Sequence, residues 1–272
     1  MFDTTSQIMQ RTRGRASVGV ALRGMQTRLQ HLHQSGSAKA MLPNVYSSMP
    51  EVVFLNTAGG LTGGDNLEFS VTAGKGTSVI ATTQTAERVY ASASGVAQVD
   101  VTLKADAGAI LHWLPQETIL FDHGSLDRST DVHLANDAQF LGVETIVLGR
   151  AAMGETVEKM HLLDRRRIFR AGQPIMIEPV KITSGTLQDR HNCATLASAR
   201  AFTTIVFCAQ GAEDVLVGIR EVLPDDSVAA ASAWDGKCVV RIMADDAFPL
   251  RHATARVLEK LRVAPLPRVW QM

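Results

Sequence analysis

Two glutamates sit where an ionised side chain is expensive. Glu117 lies within Trp113-Leu114-Pro115-Gln116-Glu117-Thr118-Ile119-Leu120-Phe121, and Glu144 within Phe140-Leu141-Gly142-Val143-Glu144-Thr145-Ile146-Val147-Leu148. Burying an unpaired carboxylate costs several kcal/mol, comparable with a domain's whole stability margin. Each must therefore meet an arginine, become neutral or face water. Arg88 and Arg150 are the nearby candidates for ion pairing. The sharper possibility is an interior polar conduit lined by Asp65, Glu87, Glu117, Glu144 and Glu155.

Other constellations are weaker. Glu117 and Asp122 could form an acid/base pair for a small hydrolase, with a glycine-rich loop holding an anion. The chain shows no Gly-x-Ser-x-Gly elbow and no cysteine in a nucleophile context. The catalytic inventory is therefore empty, and the protein reads as a non-enzyme. His31-Leu32-His33 and His191-Asn192-Cys193 each place two metal-ligand types on one face of an extended chain. No spacing completes a stable metal site. His112 alternates with Trp113 and reads as a packed strand position. The run Asp164-Arg165-Arg166-Arg167, with Arg170 beyond, reads as a solvated strand and turn, or else as a patch for an acidic partner.

The glycine run Asn56-Thr57-Ala58-Gly59-Gly60-Leu61-Thr62-Gly63-Gly64-Asp65 marks an unusual backbone path. A phosphate-binding loop needs Lys and then Ser or Thr after its last glycine, and a helix beyond. Here Asp65 and Asn66 follow, and Leu67–Val71 alternates like a strand. Gly59, Gly60, Gly63 and Gly64 thus read as structural, in a turn where strands crowd.

These residues need elements to hold them. From Glu51 to about Val180, short period-two runs such as Leu67, Phe69, Val71 and Val99, Val101, Leu103 alternate with polar residues. Glycines punctuate them. The pattern predicts a mostly β body over 1–185, and a sandwich, a barrel and stacked β-helix-like strands all satisfy it. Period 3.6 predicts two helices, Glu213–Leu223 and Leu250–Val263, beside strands Ala201–Ala209 and Lys237–Met243. These make a small C-terminal α/β lobe over 186–272, either packed on the body or part of one single domain, with Gly185 to Ser198 as the junction.

Composition removes whole classes. Twenty-seven basic residues balance twenty-seven acidic ones and aromatics are 5%, so neither nucleic acid nor an anionic membrane is expected as a partner. The cysteines Cys193, Cys208 and Cys238 are odd in number and far apart, which argues against a disulfide framework or a zinc site. Met1 to Gly14 lacks the apolar core of a secretory signal. No run reaches the roughly 18 apolar residues of a membrane span. The expected location is cytoplasmic.

Four longer motifs, in order, resemble one family: Asn56–Asp65 (NTAGGLTGGD), Thr82–Tyr90 (TTQTAERVY), Trp113–Asp122 (WLPQETILFD) and Gly149–Glu155 (GRAAMGE). Together they look like the UreD urease accessory proteins, and weaker echoes reach the ending Leu266-Pro267-Arg268-Val269-Trp270. The resemblance implies a β-helix-like fold and no reaction of its own. It implies a scaffold that binds apo-urease, recruits UreF and the GTPase UreG, and enables nickel insertion, with nickel passing transiently through an internal channel. Weak oxygen ligands suit such transit, because thiolates or clustered imidazoles would retain the ion. The chain departs from the family's usual pattern at Ala91 and at His123-Gly124-Ser125-Leu126, where arginines are expected, so roles for those arginines do not carry over.

Overall fold

The computed structural model describes residues 11–45, 49–225, 228–262 and 265–271. The first ten residues, on which the reading of the amino terminus mostly rests, lie outside these. In chain order the strands are β1 (Arg13–Arg23), β2 (Gln26–Gly36), β3 (Ala38–Met41), β4 (Glu51–Asn56), β5 (Asn66–Ala73), β6 (Ser78–Thr83), β7 (Glu87–Val89), β8 (Ala97–Ala105), β9 (Ile110–Leu114), β10 (Thr118–Leu120), β11 (Ser125–Leu134), β12 (Gln139–Leu148), β13 (His161–Arg170) and β14 (Gln173–Thr183). After α1 (Ser184–Gln188) come β15 (Ala201–Cys208), α2 (Leu216–Arg220), β16 (Val228–Trp234), β17 (Lys237–Ala244) and α3 (Ala247–Leu261).

The strands stack as a β-solenoid. One sheet runs β14-β13-β11-β8-β5-β1-β2 and the other β16-β17-β15-β12-β9-β6-β4-β3. The chain passes from one sheet to the other and back, so β5, β8, β11 and β13 lie parallel, as do β4, β6, β9 and β12. A narrow third face closes each coil. There Leu61 pairs with Val89, Val89 with Leu120 and Leu120 with Leu148, all buried.

Stacking in register puts like positions over one another, and apolar ladders fill the space between the sheets. Val71, Leu103, Val132 and Ile168 form one such ladder. Two adjacent ladders change character along the stack. Leu67 and Val99 continue into Arg128 and Asp164, while Phe69 and Val101 continue into Thr130 and Arg166.

The glycine run is a corner between coils. Its amides are spent internally: Gly59 N donates to Asn56 O, Leu61 N to Arg88 O, Gly64 N to Val96 O and Thr62 N to Asp65 Oδ2. That leaves little for an anion. A Cβ at Gly60 would stand 2.2 Å from the Tyr90 ring, and one at Gly63 1.9 Å from Ser92 Oγ and 2.3 Å from Ser94 O. Glycine is required because neighbouring coils touch the backbone itself.

The C-terminal part, read as a lobe from residue 186, adds β15, β17 and β16 to the second sheet without a break, since β15 pairs antiparallel with β12 over Phe140–Val147. The Asp235-Gly236 turn, with both residues at positive φ, links β16 and β17. The helix expected over Glu213–Leu223 is instead a 3-10 turn, Ala212–Val215, followed by the five-residue α2. Gly218 weakens its centre, and the Lys260 side chain closes over that glycine. α3 begins earlier than Leu250 because Asp246 caps Phe248 N at 2.9 Å and Pro249 is tolerated in a first turn. The last residue of that expected helix, Val263, lies outside the described residues. β2 was not legible, because it is exposed along nearly all its length and shows no alternation.

Gly63→Ala should destabilise the fold by about 1–3 kcal/mol, read as a lower urea midpoint with an unchanged slope. Gly154→Ala, where an added Cβ meets nothing within 4 Å, should cost less, through its positive φ alone.

Candidate functional site

Where the ladders turn polar, a cavity of about 120 Å³ opens between the sheets. Asn56, Glu87, Gln116, Thr118, Arg128 and Glu144 contribute its polar lining, and Trp113 lies against it. A second cavity of about 30 Å³ lies beyond, lined by Thr130, Phe140, Arg166 and Met176 among others. Trp113 and Glu144 line both and form the wall between them.

Glu144 is buried and held from two sides. The Trp113 indole donates to Oε1 at 3.0 Å and Arg128 Nη1 reaches Oε2 at 2.8 Å. Arg128 also grips Asp164 with a two-pronged fork, Nε to Oδ1 at 2.9 Å and Nη2 to Oδ2 at 2.8 Å, and donates to Thr118 Oγ1 at 3.1 Å. Arg166 contacts Asp164 at 2.7 Å and Glu178 at 3.0 Å, and Arg241 Nε meets Glu178 at 3.1 Å. Three carboxylates thus alternate with three arginines, from the interior to Arg241, whose side chain is 55% exposed.

Burial penalises the charges of Glu144, Arg128 and Asp164. For Asp164 the charges of Arg128 and Arg166 outweigh that penalty and hold the carboxyl well below its usual range. For Glu144 burial prevails over Arg128, and its pKa is raised. Among the described residues Glu87 has no arginine side chain within pairing distance. It accepts from Arg88 N at 3.2 Å and Asn56 Nδ2 at 3.4 Å, and burial pushes it up to about 7.

Of the five carboxylates singled out in the sequence, the structure brings Glu87 and Glu144 to one cavity. Asp65 instead caps a corner, accepting from Thr12 N at 2.7 Å and Thr62 N at 2.8 Å. Glu117 pairs with Arg251 at 3.2 Å, and Glu155 with Arg150 at 2.8 Å and Asp122 N at 3.1 Å. The partner of Glu144 is therefore Arg128, not Arg88 or Arg150, because the register of β11 points Arg128 inward beneath it. Asp122 Oδ1 accepts from the backbone of Glu158 and Lys159. Neither Glu117 nor Asp122 reaches the cavity, so they do not compose a hydrolytic pair there.

The Asp164–Arg167 run is only half solvated. Asp164 and Arg166 are buried, while Arg167 faces outward and pairs with Asp131 at 2.6 Å. Arg128, Asp164, Arg166, Glu178 and Arg241 were missed as site residues. The phase of β13, with Leu162 and Ile168 inward, would have marked Asp164 and Arg166. His31 and His33 lie exposed on β2, and His191 Nδ1 meets Ser198 Oγ at 2.9 Å. Burial and the charge of Arg262 depress His112 to about 3, and its Nδ1 accepts from that guanidinium at 3.2 Å. Among the described residues no three His, Cys, Asp or Glu side chains gather into a metal-holding group, and no helix is long and apolar enough to cross a membrane.

A clamp supports the cavity from outside. Arg251 of α3 donates to Gln116 Oε1 at 2.6 Å, to Glu117 and to the carbonyls of Val269 and Trp270, and the Trp270 indole donates to Leu114 O at 2.9 Å. The Trp113–Asp122 motif is thus a cavity wall pinned by the C-terminal segment.

The model of the UreD urease accessory protein family matches residues 12–271. The chain belongs to that family. Urease accessory protein UreD of Cereibacter sphaeroides is 50% identical over 264 residues, 97% of this chain and 96% of the relative. That of Jannaschia sp. is 47% identical over the whole of both chains, and that of Paracoccus denitrificans 45% identical over 100% of this chain and 97% of its own. The matched span of this UreD-family chain includes the cavity, the charged chain of pairs and the clamp.

Arg128→Ala should cost about 3–5 kcal/mol, because it strands Glu144 and leaves Asp164 to Arg166 alone, and urea unfolding at neutral pH will measure it. A second expectation concerns pH. Glu87 is neutral in folded and unfolded chains below pH 4.5, its ordinary value, whereas between 4.5 and about 7 the folded form holds the proton more tightly. The contribution of Glu87 is therefore lost as pH rises through that window. Glu87→Gln should gain stability relative to the parent from pH 4.5 to 7, with a constant difference above.

Proposed function

We propose that this chain serves urease maturation as a non-catalytic, cytoplasmic scaffold that binds apo-urease, joins UreF and the GTPase UreG, and gives nickel a passage on its way to the urease site. Membership of a urease accessory family supports the accessory role. The observation that carries the passage is the cavity at Glu87 and Glu144, where carboxylate and amide groups stand among apolar side chains inside a fold whose core is mostly apolar ladders.

The chemistry suits a cargo that must leave again. Carboxylate and amide oxygens bind a borderline divalent ion weakly, and no thiol stands among the lining residues. Glu87, close to half-protonated near neutrality, is a weak ligand that can take up a cation by releasing its proton. No permanently bound cofactor is part of this reading; nickel is transient cargo.

Glu87→Gln and Glu144→Gln should lower urease activation severalfold at limiting nickel while the chain still co-purifies with urease and the UreF and UreG homologues. Glu155→Gln, away from the cavity, should leave activation near the parent level. Unchanged activation in both cavity variants would remove the passage and leave only the scaffold.

A further inference from the structure

The wall between the two cavities contains a cation of its own. Arg128 Nη1 occupies Glu144 Oε2 at 2.8 Å, where an ion moving from the larger cavity to the smaller would seek its ligand. Each cavity is also lined by a residue that carries a buried polar atom with no protein partner among the described residues: Gln116, through Nε2, at the larger and Thr130, through Oγ1, at the smaller. Gln116 is 6% exposed and Thr130 4%. The larger space, with Asn56, Glu87, Gln116 and Glu144 among its lining, can take water or a hydrated ion, whereas the smaller is lined mainly by apolar side chains and offers fewer polar partners.

We infer that Arg128 is a resident competitor for the Glu144 carboxylate, setting how weakly this wall holds a divalent cation. The inference rests on the proposed nickel passage and names the residue that regulates it. Arg128 can yield Glu144 without being stranded. Its contact with Glu144 uses Nη1 alone, whereas Nε and Nη2 remain forked onto Asp164. Asp164 is anchored in turn by Arg166 at 2.7 Å. One carboxylate can therefore exchange its guanidinium for a metal ion while the rest of the cluster keeps its geometry. When the ion leaves, Arg128 reclaims Glu144 and prevents retention. Without that guanidinium, Glu144 would lose its only ion-pair partner among the described residues and Asp164 would keep Arg166 alone, so the pair would hold a divalent cation far more tightly. A passage would become a trap.

The test uses nickel chloride with the purified full-length chain, reading the component of tryptophan quenching that Glu144→Gln removes, since Trp113 touches Glu144. Arg128→Met should tighten this component at least tenfold, and Arg128→Met with Glu144→Gln should abolish it. If Arg128→Met does not fold, Arg128→Lys, which keeps the charge but loses the fork, should tighten it severalfold. An unchanged midpoint in a folded Arg128→Met or Arg128→Lys variant, or no such component in any of them, overturns the inference. Urease activation at limiting nickel separates the two ideas. Arg128→Lys should lower activation despite tighter binding, whereas loss of the passage itself is read from Glu144→Gln and Glu87→Gln leaving activation unchanged.

Discussion

The guanidinium of Arg128, forked onto Asp164 and touching Glu144, is the contact on which the interior depends. A solenoid built from in-register parallel strands stacks identical positions, and apolar side chains satisfy that arrangement readily. Charged side chains do not, unless opposite signs alternate from coil to coil. The sequence of pairs from Glu144 to Arg241 meets this condition, with arginines and carboxylates equal in number. Its geometry also fixes where the sheets part and where the cavities lie. An aliphatic replacement could be as stable or more so, which makes a role beyond stability the better account of these charges.

Much of the architecture was legible. The alternation of Leu67, Phe69 and Val71, and of Val99, Val101 and Leu103, marked strands whose inward faces are those residues. The stacking itself was not legible from period two, which sandwiches and barrels share; the family resemblance supplied it. The phase that exposed the core could also have exposed the site, since Arg128 and Thr130 keep step with Leu126 and Val132. A cluster of arginines reads as surface by composition, and only the phase of its strand turns one of them, Arg166, inward. Glu144 was singled out correctly as an anomaly, yet its partner lies on another sheet and no spacing along the chain announces it.

The glycine run illustrates the same distinction between type and place. Its composition resembles an anion-binding loop, but its amides are directed to Asn56, Asp65, Arg88 and Val96. What the glycines provide is clearance: Tyr90 and the Ser92–Gly95 turn pass against bare backbone. The motif belongs to the stacking of coils, and Asp65, which follows it, secures the start of β5 by accepting from Thr12 N and Thr62 N.

The clamp at Arg251 has a consequence for biosynthesis. Gln116 is separated from Arg251 by 135 positions, and Leu114 from Trp270 by 156. A ribosome has therefore moved far past the cavity-lining strands before their outer support exists. During that interval the solenoid can coil, but Gln116 has nothing to aim its amide. The nascent chain acquires a finished chamber only when α3 and the segment after it fold back onto Leu114 and Gln116.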